Sequence, residues 1–344
     1  MTLAELARLA GVSRTTASYV INGQGLARRI KQETIDKVLA IARDHNFQVD
    51  TQAAALRGGA SRTLGFILPD LENTSYARLA KLLEQGARAR GYQLLIAGSD
   101  DDPETEKTLA HALKARRCDA LIVASALPRD DGFYPQLQEQ GLPVIAVDRA
   151  QSPDRISCVV SDNASAAEEL TLSLLSDAPG TVLWLDAVPA LAMTQERRRG
   201  FEQAMSTLGC KAMIESCSHY DRRAGANTLR AFLRSHPMPD AVITASYTLL
   251  QGVLDVLLEQ PEGLPDRLRL ATFGDDRLLD FLPLPVNSLP QNHEAIAAAT
   301  LEQAWRIIGG DTAPKTITIN RSLTRRLQAR QTTSAAAGSA PAGV

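Results

Sequence analysis

From Thr63 to Phe273 short apolar runs alternate with amphipathic helical stretches, and no other feature of the chain limits its fold so tightly. Leu64–Leu68, Leu94–Ala97, Ala120–Ala124 and Val144–Val147 are continuous enough to be strands buried on both faces, and between them Tyr76–Arg90 and Glu104–Ala115 carry helical periodicity. A second series follows at Val182–Leu185, Ala212–Glu215, Ala241–Thr244 and Leu270–Phe273, with helices expected over Arg197–Leu208, Ala224–Ser235 and Leu249–Glu259. Alternation of this kind demands parallel sheets joined by right-handed crossovers, and two series imply two α/β halves.

Ligands of open parallel sheets sit beyond the carboxyl ends of the strands, so those ends are where binding chemistry is sought. The first strand leads through Pro69-Asp70 to Asn73, Thr74 and Ser75, a polar loop opening a helix, where backbone N–H groups and hydroxyls suit an anion. Val144–Val147 runs into Asp148 and Arg149, a carboxylate that can accept from hydroxyls beside a guanidinium that suits an anion such as phosphate. Arg197 opens an Arg-x-x-Gly-Phe run with Gly200 and Phe201, Leu270–Phe273 ends at Gly274-Asp275-Asp276, and Gln291 follows a last short strand. Singly, each of these is as ordinary as any surface or capping residue; their joint placement at strand ends is the signal.

The remaining N-terminal segment differs in charge. Residues 1–62 carry nine Lys/Arg against five Asp/Glu, a surplus of four, which leaves −6 for the rest of a chain whose net charge is −2. A basic head on an acidic body suits phosphate binding by one end only, although charge alone is equally compatible with a solvated mixed surface. In that head Leu3, Leu6, Ala7 and Ala10 fall at helical spacing, Gly11 is placed to end the helix, and Ser13 to cap a second one. The second helix turns Ala17, Val20 and Ile21 to one face and leaves Arg14, Thr15, Ser18 and Tyr19 mostly off it, before Asn22-Gly23 ends it. Two short helices around a glycine turn form a helix-turn-helix, with the second helix set for the major groove. Ser13, Arg14, Thr15, Thr16, Ser18 and Tyr19 are then the base-reading candidates, Arg14 for guanine O6/N7 and Thr15 and Thr16 for base edges or thymine methyls. A third helix is expected over Lys31–His45, and Arg28, Arg29 and Lys31 before it suit backbone phosphates. Similar helix pairs also occur in proteins that never touch DNA.

The run from Leu3 through Gly11-Val12-Ser13-Arg14-Thr15-Thr16-Ala17-Ser18-Tyr19-Val20-Ile21-Asn22 closely resembles the N-terminal signature of the lactose-repressor family, and the likeness extends over nearly the whole chain. The recognition helix, with Pro69-Asp70-Leu71-Glu72-Asn73-Thr74-Ser75-Tyr76, looks most like the family's fructose-repressor branch. Tyr19 departs from the wider family, many members of which carry arginine there. The resemblance implies a small all-α helix-turn-helix headpiece, residues 1–49, and a body, residues 63–327, like the periplasmic sugar-binding proteins, with two parallel-sheet subdomains. The first would take about 63–161 and 292–319, the second about 162–291 and 320–327. Residues 50–62 would be a hinge: Thr51–Leu56 is too short for a stable isolated helix, and the family places Leu56 as a minor-groove wedge with Arg57 beside it. Without the family, a plain linker with Leu56 packed on the core is the simpler expectation. The resemblance also puts Asp148, Arg197, Asp275 and Gln291 in the sugar pocket, with Ser246 in place of a common asparagine, and implies fructose 1-phosphate as effector. It implies a homodimer or higher homo-oligomer on a double-stranded, pseudo-palindromic operator, released by the sugar phosphate.

Other classes are weakened by what the chain lacks. No apolar run approaches a membrane span, and Met1–Glu5 shows no basic n-region or apolar h-region, so a cytoplasmic protein is expected rather than a transport-type sugar-binding one. Cys118, Cys158, Cys210 and Cys217 form no CxxC pair or zinc spacing and are expected to be free, mostly buried thiols; no metal or cofactor is expected. No GxxxxGK[ST], HExxH or GxSxG is present, Gly23-Gln24-Gly25 lacks the third glycine of a dinucleotide fingerprint, and the histidines show no partner spacing, so no catalytic residue is expected. A sugar-phosphate enzyme using the same cleft stays as the alternative. After Leu327 the low-complexity tail, residues 328–344, is expected to be disordered.

Overall fold

The computed structural model describes residues 1–47, 60–174, 180–208, 210–260 and 267–326. The chain separates into two compact units, Met1–Ser61 and Arg62–Val344. Leu56, Arg57 and the tail 328–344 lie outside the described residues.

Among the described residues the first unit holds three helices, α1 (Leu3–Ala10), α2 (Arg14–Ile21) and α3 (Gln32–Asp44). A capping box starts α1: the Thr2 hydroxyl accepts from the Glu5 amide and the Glu5 carboxylate from the Thr2 amide. Gly11, at φ 68°, supplies the left-handed residue that ends it. Ser13 starts α2 by accepting from the Thr16 amide at 3.0 Å. Leu6, Ala10, Val20, Ile35, Val38 and Ala42 meet as the core of the three helices. α3 is one residue shorter at each end than the sequence suggests, because Lys31 keeps an extended backbone as its N-cap.

The second unit is built on two all-parallel sheets. The six-stranded sheet has the order β11-β5-β4-β3-β1-β2, with β1 Thr63–Leu68, β2 Gln93–Gly98, β3 Ala120–Val123, β4 Val144–Val147, β5 Ser157–Ser161 and β11 Thr316–Ile319. The five-stranded sheet has the order β10-β9-β8-β6-β7, with β6 Thr181–Ala187, β7 Lys211–Cys217, β8 Ala241–Thr244, β9 Arg269–Phe273 and β10 Val286–Leu289. The central strands are buried along their whole length, which is why they read as unbroken apolar runs.

Among the described residues the chain passes between the sheets three times. After β5, the helix Asn163–Leu172 places Ala166, Ala167 and Leu170 in the core of the second sheet. After β10, the helix His293–Ile308 returns Ile296, Ala297, Leu301 and Ala304 to the core of the first. After β11, Thr324 bridges Ser288 of β10. The helices Phe133–Glu139, Asn163–Leu172 and His293–Ile308 and the strands β5 and β11 go beyond the elements expected from periodicity. Cys118, Cys158 and Cys217 are buried, Cys210 is partly so, and all four are free. Among the described residues no helix is long and apolar enough to cross a membrane.

Candidate ligand cleft and nucleic-acid interface

Within the first unit, α2 shows solvent a polar face. Arg14 and Thr15 are exposed, and Thr16, Ser18 and Tyr19 partly so. Two of these side chains are already engaged: Ser13 Oγ lies 2.8 Å from Thr16 Oγ1 while capping the helix, and the Arg28 guanidinium lies 4.7 Å from the centre of the Tyr19 ring. That stacking brings an expected phosphate contact and an expected base contact onto one surface. Arg29, at φ 56°, is exposed beside them.

Within the second unit, the carboxyl ends of strands from both sheets open into one cleft of about 220 Å³. Asn73, Thr74, Ser75, Asp148, Arg149, Arg197, Ser246, Asp275 and Gln291 all line it. Asn73 and Ser246 also serve as helix caps, accepting from the amides of Ser75 and Leu249. Asp275 is tied down on the cleft wall, its carboxylate accepting from Ser288 Oγ at 2.6 Å and Arg326 Nη2 at 2.9 Å.

Asp148 is the organising group. It sits at φ 64° just past β4 and is buried; an aspartate tolerates that left-handed backbone better than most residues. The Tyr76 hydroxyl donates to its Oδ2 at 2.8 Å and Gln291 Nε2 to its Oδ1 at 2.9 Å. Because a carboxylate only accepts, the Gln291 amide is fixed with its oxygen toward Ser75, whose hydroxyl donates to it at 2.7 Å. The single Ser75 proton being spent there, His293 Nε2, 2.8 Å away, carries a proton and donates to Ser75 Oγ. One chain of hydrogen bonds thus runs from Asp148 to His293, with every direction set by the carboxylate.

Burial raises the Asp148 carboxyl, but the nearby Arg197 and Arg321 charges, the Tyr76 hydrogen bond and Arg149 outweigh it and hold the group below the usual carboxylate range. Arg197 donates from Nε to Asn163 Oδ1 at 2.8 Å and from Nη1 to the Ala245 carbonyl at 2.7 Å, with its guanidinium 4.4 Å from the centre of the Phe273 ring. Arg321 lies 5.3 Å from the same ring, is 9% exposed, and its Nε has no partner among the described residues. Burial first, then repulsion from Arg197, brings its guanidinium down to about 10. Arg149 pairs with Asp101 at 2.5 Å; burial opposes its charge, but Tyr76 and Asp101 hold it firmly protonated.

The cleft therefore combines anchored hydrogen-bond acceptors with buried cations that exceed their partners, an arrangement for a polar anion bearing hydroxyls. Tyr76, His293 and Arg321 go beyond the residues expected from sequence. Tyr76 occupies a core position of the helix Thr74–Ala89, His293 opens the helix Asn292 caps, and Arg321 follows an edge strand without any motif.

Comparison with known proteins agrees with both units. Residues 2–50 match the family described as bacterial regulatory proteins, lacI family, and residues 61–264 match periplasmic binding proteins and sugar binding domain of LacI family. The chain belongs to the LacI family. It is a DNA-binding, sugar-responsive transcription regulator of that family. It is 52% identical over 304 residues to the fructose operon regulatory protein of Vibrio cholerae, covering 88% of this chain and 93% of that one. It is 43% identical over 328 residues to the catabolite repressor/activator of Escherichia coli K12, covering 95% and 98%. The crystal structure of the Cra transcriptional dual regulator from Pseudomonas putida, in complex with fructose 1-phosphate, is 48% identical and superposes with a TM-score of 0.75 over 77% of this chain and 99% of that one. These relatives are transcription regulators.

Proposed function

We propose that this LacI-family regulator acts in the cytoplasm as a homodimer on a pseudo-palindromic operator, and that fructose 1-phosphate in the cleft releases it. The observation that carries the ligand is the pairing, in one cavity, of the fixed Asp148 acceptor with the buried, incompletely partnered Arg321 beside Arg197. Asp148 suits sugar hydroxyls, and a dianion relieves the repulsion between the two guanidinium groups. The fructose 1-phosphate complex of the 48% identical regulator supports the same ligand. Asn73, Thr74, Ser75, Arg149, Ser246, Asp275 and Gln291 complete the pocket in this reading.

The headpiece, residues 1–49, reads bases through Ser13, Arg14, Thr15, Thr16, Ser18 and Tyr19 and grips phosphates with Arg28 and Arg29. Residues 50–62 form the hinge, with Leu56 and Arg57 at the minor groove. The subdomains of the body, about 63–161 with 292–319 and about 162–291 with 320–327, close on the ligand. Ligand and DNA affinities are then reciprocally linked, typically by about 1–3 kcal/mol. Calorimetric titration of the full chain with fructose 1-phosphate and with fructose tests the ligand assignment. Saturable binding of the phosphate ester, at least tenfold tighter than fructose and without turnover, is expected. Equal affinity for both removes the phosphate assignment, and turnover restores the enzyme alternative.

A further inference from the structure

The helix Pro103–Ala115 begins beside the cleft, and two carboxylates at its start act on one guanidinium. Asp101 receives Arg149 Nη1 at 2.5 Å and Nη2 at 3.4 Å. Glu106, in the first turn, never touches Arg149 yet reaches it through the backbone. Its carboxylate is fully buried and accepts from Ser125 Oγ at 2.5 Å, the Ala126 amide at 2.6 Å and the Tyr134 hydroxyl at 2.5 Å. The turn it holds presents the Ser125 carbonyl, which accepts from Arg149 Nη1 at 3.3 Å. Arg149 is thereby pinned at one end while its buried Nε has no partner among the described residues.

A buried carboxylate is costly unless its hydrogen bonds are used. Packing alone asks only for an apolar side chain here. Burial raises the Glu106 carboxyl, against the pull of Ser125, Tyr134, Ala126 and Arg149. The group is retained in a place that disfavours its charge, and three donors converge on it. A carboxamide of the same shape accepts from the Ala126 amide only by turning its NH₂ to the Ser125 and Tyr134 hydroxyls, which must then reverse from donors to acceptors. Ser125 Oγ already accepts from the Leu127 amide, so its own proton loses its partner, the turn loosens and the Ser125 carbonyl moves with it.

We propose that Glu106 is a positioning residue for ligand recognition: it locks the Ser125–Leu127 turn and, through the Ser125 carbonyl, aims the Arg149 guanidinium at a phosphoryl group in the cleft. This rests on the sugar-phosphate reading above. The test is a double-mutant cycle on the full chain, with calorimetric Kd values for fructose 1-phosphate in wild type, Glu106→Gln, Arg149→Lys and the double variant. Lysine keeps the cleft charged but cannot bridge Asp101, the carbonyl and a ligand as guanidinium does.

Glu106→Gln is expected to weaken binding about tenfold in wild type and less than about threefold in the Arg149→Lys background. Loss by the same factor in both backgrounds, the mark of a merely structural role, overturns the proposal, as does wild-type affinity in Glu106→Gln. Where Glu106→Gln gives no folded protein, Tyr134→Phe, which removes one donor to the same carboxylate, takes its place in the cycle with the same two outcomes. If wild type itself does not bind fructose 1-phosphate, the sugar-phosphate reading fails and this role with it. Normal wild-type binding with an additive pair sinks Glu106 alone.

Discussion

Replacing Arg321 with methionine is expected to make the ligand-free protein more stable and the ligand-bound protein less so. Burial and Arg197 bring the Arg321 guanidinium down to about 10, between two and three powers of ten below a free arginine. At about 1.4 kcal/mol per power of ten, keeping it charged costs the empty fold about 3 kcal/mol. The sign follows from the pH: a cation whose folded value is depressed is protonated in both folded and unfolded chains at pH 7, so the full cost is present there and fades only as pH rises through about 10. Methionine fills a similar volume without charge and loses the contact with Phe273, worth about 1 kcal/mol. The net gain is about 2 kcal/mol, or about 4–8 °C in Tm for a domain of this size. The assay is differential scanning calorimetry with and without saturating fructose 1-phosphate. Arg321→Met should melt higher than wild type when empty and lose most of the ligand-induced rise. A lower melting point when empty, with the ligand-induced rise intact, refutes the argument that this arginine is held under electrostatic strain for an anion.

Three further outcomes follow from named contacts. Arg14→Ala should cost about 1–3 kcal/mol at a single operator position and relax discrimination there, whereas Arg28→Ala should weaken all sequences alike and reduce the salt slope by about one; binding across mutated operators at several salt concentrations separates the two. Gly200→Ala should destabilise the body by about 1–3 kcal/mol or more in chemical denaturation, because its Cβ would fall 2.0 Å from the Ala164 carbonyl oxygen, and wild-type stability there contradicts the packing of the helices Asn163–Leu172 and Ala192–Leu208. Asp148, held below the usual carboxylate range, contributes stability that is present above about pH 4 and lost as pH falls through its folded value. Asp148→Asn should therefore be less stable than wild type at neutral pH, and acid titration of unfolding should bring the two curves together below about pH 4.

Much of this architecture is visible in one sequence because parallel strands buried on both faces write themselves as unbroken apolar runs, as Val144–Val147 and Ala241–Thr244 do. What stays hidden has a physical reason in each case. The buried face of the helix Asn163–Leu172 carries the polar Asn163 and Thr171 beside Ala166, Ala167 and Leu170, while Leu172 is exposed, so the apolar stripe is too weak to read from sequence. Thr316–Ile319 is an edge strand with alternate residues exposed and only four residues to show it. In the cleft, residues at strand ends were legible because topology alone sends strand ends there. The Arg149–Asp101 pair and the Asp148–Gln291 hydrogen bond join positions far apart in the chain, and only the folded crossovers bring them together. Arg321 is the clearest example. It follows the last strand with no motif around it, and becomes a cleft residue only because the chain makes its third passage there.

The most direct test of the account is selection of the full chain on random duplex DNA at near-physiological salt, with and without fructose 1-phosphate. Enrichment of one pseudo-palindrome, dispersed by the sugar phosphate, is the expected result. A selected site that ignores the ligand contradicts the effector assignment, and selection of no site at all contradicts the DNA-reading role given to α2.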